Sequence, residues 1–263
     1  MTSTTISVGP IQHYVPGSTW FDLTKYDNLA TQERVAVNLS SSNLWLVDSS
    51  KLFLSSDYAP RIAFLNEGAG YRSPIQISAT GNTLGEATVF SDLSGIDSVL
   101  SSANAPLRRG DWVQLSELSA GTQINFSVIP NGVVNPGATP LSTDSQTNPV
   151  SPYNPSSPVF WLAYADPKAN VPVFILGYED IAGAGSDNDF NDGLLVLDLG
   201  LENFNQIFSS ANLGQDSTIS LKNAQPVPVP FEMHSSIGLI LIAALLGHKL
   251  WSRWISAQRT TQR

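Results

Sequence analysis

The sequence contains no cysteine and few charged side chains. The absence of cysteine excludes disulfide bonds, thiolate catalysis and cysteine-ligated zinc. Charged residues make up 13% of the 263 residues, whereas typical globular proteins have roughly 25%, and Ser, Thr, Asn and Gln take their place. With 19 Gly and 17 Pro, the composition predicts many turns and favours a β-rich protein over a helical one.

Histidine is also scarce. The chain has three, and only His13 precedes the C-terminal region. A single imidazole near a terminus is most often a surface residue, so the role of His13 stays open. The sequence has no nucleophile elbow, phosphate-binding loop or paired-histidine metal motif, and we therefore expect a protein that is not an enzyme. A polysaccharide-acting hydrolase remains an alternative, because glycosidases need only two carboxyl groups about 5–10 Å apart.

The acidic charge is unevenly distributed along the chain. Residues 1–246 hold nine of the thirteen basic residues and all twenty-two acidic ones, a formal charge of −13. Residues 247–263 hold the other four basic residues and no acidic one. An acidic body argues against nucleic acid as a partner, because phosphate binding requires a basic surface. It is compatible with cation binding or with simple solubility.

Short apolar runs separated by Pro, Gly, Asn and Ser predict strands along most of the chain. Thr122–Ile129 alternates apolar and polar residues with a period of two, which is typical of a half-buried strand. Pro130–Pro158 predicts a long loop, Ile96–Ala103 a helical turn, and Leu201–Ser209 a short helix or a final strand. The other predicted strands are Arg34–Leu39, Asn43–Val47, Lys51–Leu54, Arg61–Leu65, Val159–Tyr164, Val171–Tyr178 and Gly193–Leu199. We predict an all-β fold, a β-sandwich or jelly-roll-like domain over residues 1–222.

The C-terminal region has a different composition. Residues 223–232 contain the Pro-rich string Gln225–Pro230 and predict an extended linker. Ser235–Gly247 has thirteen uncharged residues and as a helix spans about 20 Å, less than the roughly 30 Å hydrocarbon core of a bilayer. Cations and tryptophans suited to the membrane interface follow it. We predict a transmembrane helix and basic tail over residues 233–263. The alternative is a core or interfacial helix.

In this prediction the basic tail lies in the cytoplasm and the acidic body outside. The residues predicted to lie in the bilayer include Ile237, Leu241 and Leu245, and those predicted at the interface are Lys249, Trp251, Arg253 and Trp254.

The order of these features resembles a known sorting signal. A Pro-rich spacer, the triplet Pro230, Phe231 and Glu232, a short apolar helix and an Arg-containing tail follow one another. This order is similar to the PEP-CTERM signals of bacteria that carry an exosortase, in a Pro-Phe-Glu variant. The resemblance implies export, recognition by the exosortase at the membrane, removal of the helix, and association with extracellular polysaccharide. The N-terminal residues 1–17 do not have the pattern of a signal peptide. Either the start codon is assigned too far downstream, the chain is a processed form, or the prediction of export is wrong.

An acidic loop is the strongest candidate for chemistry. Six carboxylates and no basic residue lie between Glu179 and Asp198, and like charges this close repel by roughly 1 kcal/mol per pair at 4 Å in water. Calcium takes six to eight oxygen ligands, and nearby glycines free the backbone to surround an ion. We predict a calcium site formed by Glu179, Asp180, Asp187, Asp189, Asn191 and Asp192. The alternative is a solvated acidic hairpin without metal.

The loop is not an EF-hand, because Asp192 stands where that motif needs glycine and its flanks predict strands. The strings 177–180 (Gly-Tyr-Glu-Asp) and 187–192 (Asp-Asn-Asp-Phe-Asn-Asp) resemble the signature of a β-rich domain of unknown function in exported bacterial proteins. The strings 64–72 and 160–161 also resemble this domain. The resemblance covers about residues 60–200 and implies a calcium-binding extracellular module without established activity.

Two non-enzymatic functions therefore stay open. The first is a surface or extracellular-matrix protein in which calcium holds a loop or bridges a partner. The second is a carbohydrate-binding module, for which Trp45, Trp112 and Trp161 are candidate stacking platforms, although core packing is the commoner role of such residues.

Overall fold

Most of the chain body folds into β-sheet. The computed structural model describes residues 6–29, 35–37, 43–96, 106–150, 159–182 and 186–214. Within these ranges there are twelve strands, which form two antiparallel sheets, and one α-helix. The all-β class predicted from the sequence is therefore confirmed.

The larger sheet has seven strands in the order β12-β1-β9-β10-β11-β3-β6. Its strands are β1 (Trp45–Val47), β3 (Arg61–Asn66), β6 (Trp112–Gln114), β9 (Trp161–Asp166), β10 (Val173–Tyr178), β11 (Gly193–Asp198) and β12 (Asn212–Gly214). The smaller sheet has the order β2-β7-β4-β5, and β8 also pairs with β7. Its strands are β2 (Phe53–Leu54), β4 (Ile75–Gly81), β5 (Gly85–Phe90), β7 (Thr122–Val128) and β8 (Leu141–Ser142).

Two hydrophobic clusters explain the sequence patterns of the strands. One cluster takes side chains from both sheets, such as Phe64 and Trp161 from the larger sheet and Ile77 and Phe126 from the smaller one. The second cluster covers the other face of the larger sheet. The central strands β9, β10 and β11 are therefore buried on both faces and read as continuous apolar runs. The strands β4 and β7 are buried on one face only and alternate.

Most of the predicted strands are confirmed, with ends shifted by one or two residues. The strand predicted at Thr122–Ile129 is β7, and its burial alternates along all seven residues. The predicted strand Lys51–Leu54 is shorter in the structure, because Lys51 ends a 3₁₀ helix (Ser49–Lys51) and only β2 (Phe53–Leu54) is a strand. The sequence analysis did not identify β4, β5, β6, β8 or β12, and β8 lies within the predicted loop Pro130–Pro158. Of the predicted strand Arg34–Leu39 only residues 35–37 are described, and they are not a strand.

The region predicted as either a helix or a strand is an α-helix, α1 (Leu201–Ala211). Phe204, Ile207 and Ala211 lie on its buried side, at the spacing of one helical face. The buried Asn203 side chain accepts hydrogen bonds from the backbone of Ser55 (2.8 Å) and Ser56 (2.9 Å), which fixes the helix against the segment after β2.

Several predictions fall on residues outside the described ranges. They are the linker at 223–232, the sorting triplet, the transmembrane helix with its interface residues and basic tail, and nearly all of the predicted turn at Ile96–Ala103. Among the residues that are described, no helix has the length and apolar character needed to span a bilayer.

Candidate metal centre

The acidic loop connects two central strands of the larger sheet. Strand β10 ends at Tyr178, which pairs with Gly193 at the start of β11. The register of the neighbouring strands brings two more segments to the same edge. Trp161 at the start of β9 pairs with Tyr178, and Asn66 at the end of β3 pairs with Leu194. Residues from three separate parts of the sequence therefore surround the loop.

Backbone contacts fix the loop against these segments. The Glu179 amide donates to the Phe160 carbonyl at 2.9 Å, and the Gly68 amide donates to the Asn191 carbonyl at 3.1 Å. A Cβ atom at Gly68 would clash with Asn191, and one at Gly177 would clash with the Phe190 carbonyl. Glycine at these two positions permits the close approach of the loop to the ends of β3 and β10.

Three carboxylates of the loop converge on one point. One oxygen each of Glu179, Asp187 and Asp189 lies within 4.8 Å of the others. Calcium binds its oxygen ligands at 2.3–2.6 Å, so two ligands of one ion are at most about 5 Å apart. Glu179 and Asp189 are only 2% and 4% exposed, while Asp187 is exposed to solvent. The spread of the three oxygens is thus compatible with a single cation bound at the edge of the protein.

The local backbone explains how residues two apart in sequence share this point. Asn188 and Phe190 have positive φ values of 58° and 57°, which is rare for a bulky residue such as Phe. The Phe190 ring is buried in the second hydrophobic cluster, and this burial holds the unusual conformation in place. The Asp189 carboxylate accepts hydrogen bonds from the backbone amide of Asn191 at 3.0 Å and from its side-chain amide at 2.7 Å.

The other predicted ligands have different contacts. The backbone amide of Asp180 donates to the Asp192 carboxylate at 2.7 Å, and the Ser73 hydroxyl donates to Asp180 at 3.2 Å. The side-chain amide of Asn191 donates to the carbonyl of Val35 at 3.0 Å. These three residues lie beside the three converging carboxylates, and hydrogen bonds hold them to the surrounding segments.

Burial and mutual repulsion disfavour ionisation of the loop carboxyls. Desolvation, followed by repulsion from Asp192, raises the pKa of Glu179 to about 9, although a hydrogen bond from Ser186 opposes the rise. The same two causes raise the pKa of Asp180 to about 8. Burial raises the pKa of Asp192 to about 6. In the absence of a cation, the loop therefore retains protons at neutral pH that ordinary carboxyls would have lost.

One carboxylate oxygen of Glu179 lacks a hydrogen bond. Within the described part of the chain, Glu179 Oε2 is buried and has no hydrogen-bond partner. A buried polar atom without a partner costs roughly 1–3 kcal/mol, and more when it is charged. A proton or a cation on Glu179 would offset this cost.

The structure also places residues around the loop that the sequence analysis did not predict as site residues. Glu67 is fully buried and accepts a hydrogen bond from the Gly95 amide at 3.4 Å. Together with Asp92, Asp180 and Asp192, it raises the pKa of the buried Tyr178, for which burial is the larger cause. Residues 64–72 and 160–161 had resembled a family signature in the sequence, and both segments border the loop.

Other candidate residues lie outside the site. Asp198 contacts Arg61 through Nε at 2.7 Å and Tyr58 through its hydroxyl at 2.7 Å. His13 is mostly exposed, and its Nδ1 lies 2.8 Å from Asp111 Oδ1.

The three tryptophans considered as sugar platforms have packing roles. Trp161 is fully buried, Trp45 packs edge-on against Phe208, and Trp112 packs edge-on against Trp20.

Comparison with known proteins adds one finding. Residues 118–200 match the model of a family described as "Domain of unknown function (DUF4114)". The match includes β7, β9, β10 and β11 and the whole acidic loop. No curated protein and no solved structure matches the chain.

Proposed function

We propose that the protein is a non-enzymatic, exported surface or extracellular-matrix protein whose β domain binds calcium. We further propose a β-sandwich of jelly-roll-like character, supported by the hydrophobic cluster that takes side chains from both sheets. The observation that carries the calcium proposal is the convergence of Glu179, Asp187 and Asp189 with a buried oxygen of Glu179 that has no partner.

Calcium fits the chemistry of these donors. It prefers oxygen ligands, accepts mixed carboxylates, carbonyls and water, and tolerates irregular geometry. Glu179, Asp187 and Asp189 would hold the ion. Asp192 lies close enough to raise the pKa of Glu179, so its charge would add to the attraction. A divalent ion would remove the repulsion that raises these pKa values.

Binding would have a structural consequence. The loop contacts the ends of β3 and β9 through Gly68 and Phe160. An ion that fixes Glu179 to Asp187 and Asp189 would therefore tighten the edge where these strands meet. We expect calcium to stabilise the domain, and not to activate a reaction.

The geometry supports a binding role over hydrolysis. Glycosidases place two carboxyl groups on either side of a scissile bond. Here one oxygen of each of three carboxylates lies within 4.8 Å of the others, a spacing compatible with ligands around one ion. The carboxyl groups of Asp180 and Asp192 share a side-chain hydrogen bond, which leaves no space for a sugar ring between them.

A thermal-shift experiment tests the calcium proposal. Chelator-treated protein is melted with and without millimolar calcium, and with magnesium as the control ion. A ligand at one hundred times its dissociation constant stabilises by about 2.7 kcal/mol, which corresponds to several degrees in a domain of this size. Magnesium requires a smaller octahedral site and should have less effect. Equal melting temperatures with and without calcium would refute the site.

We also propose that the C-terminal region, through Pro230, Phe231 and Glu232, directs sorting by an exosortase. The support is the order of sequence features. In cells, the protein should occur first in the membrane fraction and later outside in a shorter form. Deletion of residues 233–263 should give a soluble, folded body, because the sequence predicts that they form a separate membrane segment. An unfolded truncation product would mean that the segment belongs to the core.

A further inference from the structure

The outward face of the smaller sheet bears a polar cavity. Strands β4 and β7 direct Ile and Phe side chains into the core, and the residues between them are partly exposed. A cavity of about 490 Å³ lies on this outward face, and its lining includes Gln76, Ser78, Asn125, Ser127 and Thr139. Amides and hydroxyls thus dominate a surface where an ordinary solvent-facing sheet would also carry lysine and arginine.

A second cavity adjoins the first beside the acidic loop. It has a volume of about 400 Å³, and Thr139 lines both cavities. Tyr71 is 39% exposed and lines this second cavity, together with Asn135 and the buried carboxyl of Asp180. Both volumes lie in the range of small-molecule binding sites. We call the two together the Thr139 groove.

The lining of the Thr139 groove limits the kind of ligand it can take. Among the residues that the structure describes, no Lys, Arg or His lines either cavity, so these residues offer no cation to phosphate, sulfate or uronate groups. Glu86 and Asp144 line the groove and repel anions. Carboxylates, amides and hydroxyls are partners for the hydroxyl groups of a neutral ligand, and the exposed Tyr71 ring offers an apolar surface for stacking.

We propose that the Thr139 groove binds a neutral polysaccharide. Two adjoining cavities suit a chain of sugar units better than a single compact molecule. The calcium dependence of this binding rests on the proposed function, because Asp180, Ile181 and Ala182 line the second cavity and directly follow Glu179 in the sequence. An ion held by Glu179 fixes the position of that wall.

The test is binding of the full-length protein to an array of neutral oligosaccharides, followed by affinity electrophoresis in gels with dextran, galactomannan or hydroxyethylcellulose. Gels that contain alginate, an acidic polysaccharide, serve as the comparison with the neutral polymers. We expect retention by at least one neutral polymer and none by alginate. Tyr71→Ala should weaken retention about tenfold, the scale of one aromatic contact, and Asn125→Ala should weaken it as well.

Phe53→Ala is the matched control. Phe53 is an aromatic residue that is 45% exposed, and it lies on β2 of the same sheet outside the groove, so its loss should not change retention. No binding to any neutral sugar, stronger binding to alginate, or unchanged binding by both groove variants would overturn the proposal. Calcium removal should weaken retention. A failure of the calcium site would be visible separately, as the absence of a thermal shift in the same protein samples.

Discussion

Substitution of Glu179 by glutamine isolates the electrostatic cost of the acidic loop. In the folded protein the pKa of Glu179 is raised from 4.5 to about 9, so this side chain keeps its proton at pH 7. In the unfolded chain it is ionised. One pKa unit is worth 1.36 kcal/mol, and the 2.5 units between the ordinary pKa and pH 7 therefore cost the folded state about 3 kcal/mol.

Glutamine is neutral in both states and nearly the same size, so Glu179→Gln removes this cost. We expect the metal-free variant to be more stable than the metal-free wild type by up to about 3 kcal/mol at pH 7. For a domain of this size each kcal/mol shifts the melting temperature by roughly 2–4 °C, so the variant should melt up to about 6–12 °C higher.

The pH dependence has a defined sign. A carboxyl whose pKa is raised by folding imposes no cost below pH 4, because it is protonated in both states. The cost appears as the pH rises above 4.5 and is largest near pH 9, the folded pKa. The stability gain of Glu179→Gln should therefore be absent at pH 4 and should increase up to about pH 9.

The assay is thermal melting of both proteins in chelator between pH 4 and pH 9, repeated in calcium. Calcium should raise the melting temperature of the wild type and leave the variant nearly unchanged, because a ligand is lost. Glu117→Gln is the matched control, since Glu117 is exposed and distant in sequence from the loop. A variant that is less stable than the wild type in chelator at pH 8, or that keeps the full calcium response, would refute the reasoning.

Three further predictions follow from the same structure. Calcium binding at pH 7 should release protons from the loop carboxyls, which calorimetry detects as a binding enthalpy that depends on the ionisation enthalpy of the buffer. Gly177→Ala should lower the free energy of unfolding by about 1–3 kcal/mol, because its Cβ meets the Phe190 carbonyl. Gly137→Ala should be neutral in denaturant unfolding, because its Cβ meets Asn135 Oδ1 at 3.9 Å, an ordinary contact distance. Asp198→Asn should cost about 3 kcal/mol by leaving Arg61 without its partner, and should leave the calcium-induced shift unchanged.

The parts of the fold that sequence predicts well are those with a clear burial pattern. Thr122–Val128 alternates because one face meets the core and the other meets solvent. In β9 to β11 both faces are covered by hydrophobic clusters, so the strands appear as unbroken apolar runs. The ambiguous segment after β11 is a helix because the spacing of Phe204, Ile207 and Ala211 buries one helical face.

Two of the strands that the sequence analysis missed depend on pairing with distant strands. Trp112–Gln114 has only three residues and is a strand because it pairs with β3. Gly85–Phe90 is partly exposed along most of its length and takes its position from β4. Ile75–Gly81 does alternate, with Ile75, Ile77 and Ala79 buried, and its period of two was the signal that would have identified it.

For the acidic loop too, the sequence predicts the local composition but not the contacts that depend on the fold. The sequence predicts that several carboxylates lie in one loop. It does not predict which of them converge, because that choice depends on the positive φ values of Asn188 and Phe190 and on burial of the Phe190 ring. It also does not predict the contact between Ser73 and Asp180, which joins segments more than one hundred residues apart.

Three buried carboxylates outside the acidic loop each contact a basic side chain. Asp166 lies 2.6 Å from the Lys25 ammonium, Asp92 contacts the guanidinium of Arg72, and Asp198 contacts that of Arg61. In each case a basic side chain offsets the cost of removing a charge from water. Glu179 is as deeply buried, but within the described ranges it faces other carboxylates, and one of its oxygens has no hydrogen bond. A cation taken from solution would do the same for Glu179, and calcium is the ion that we propose for this position.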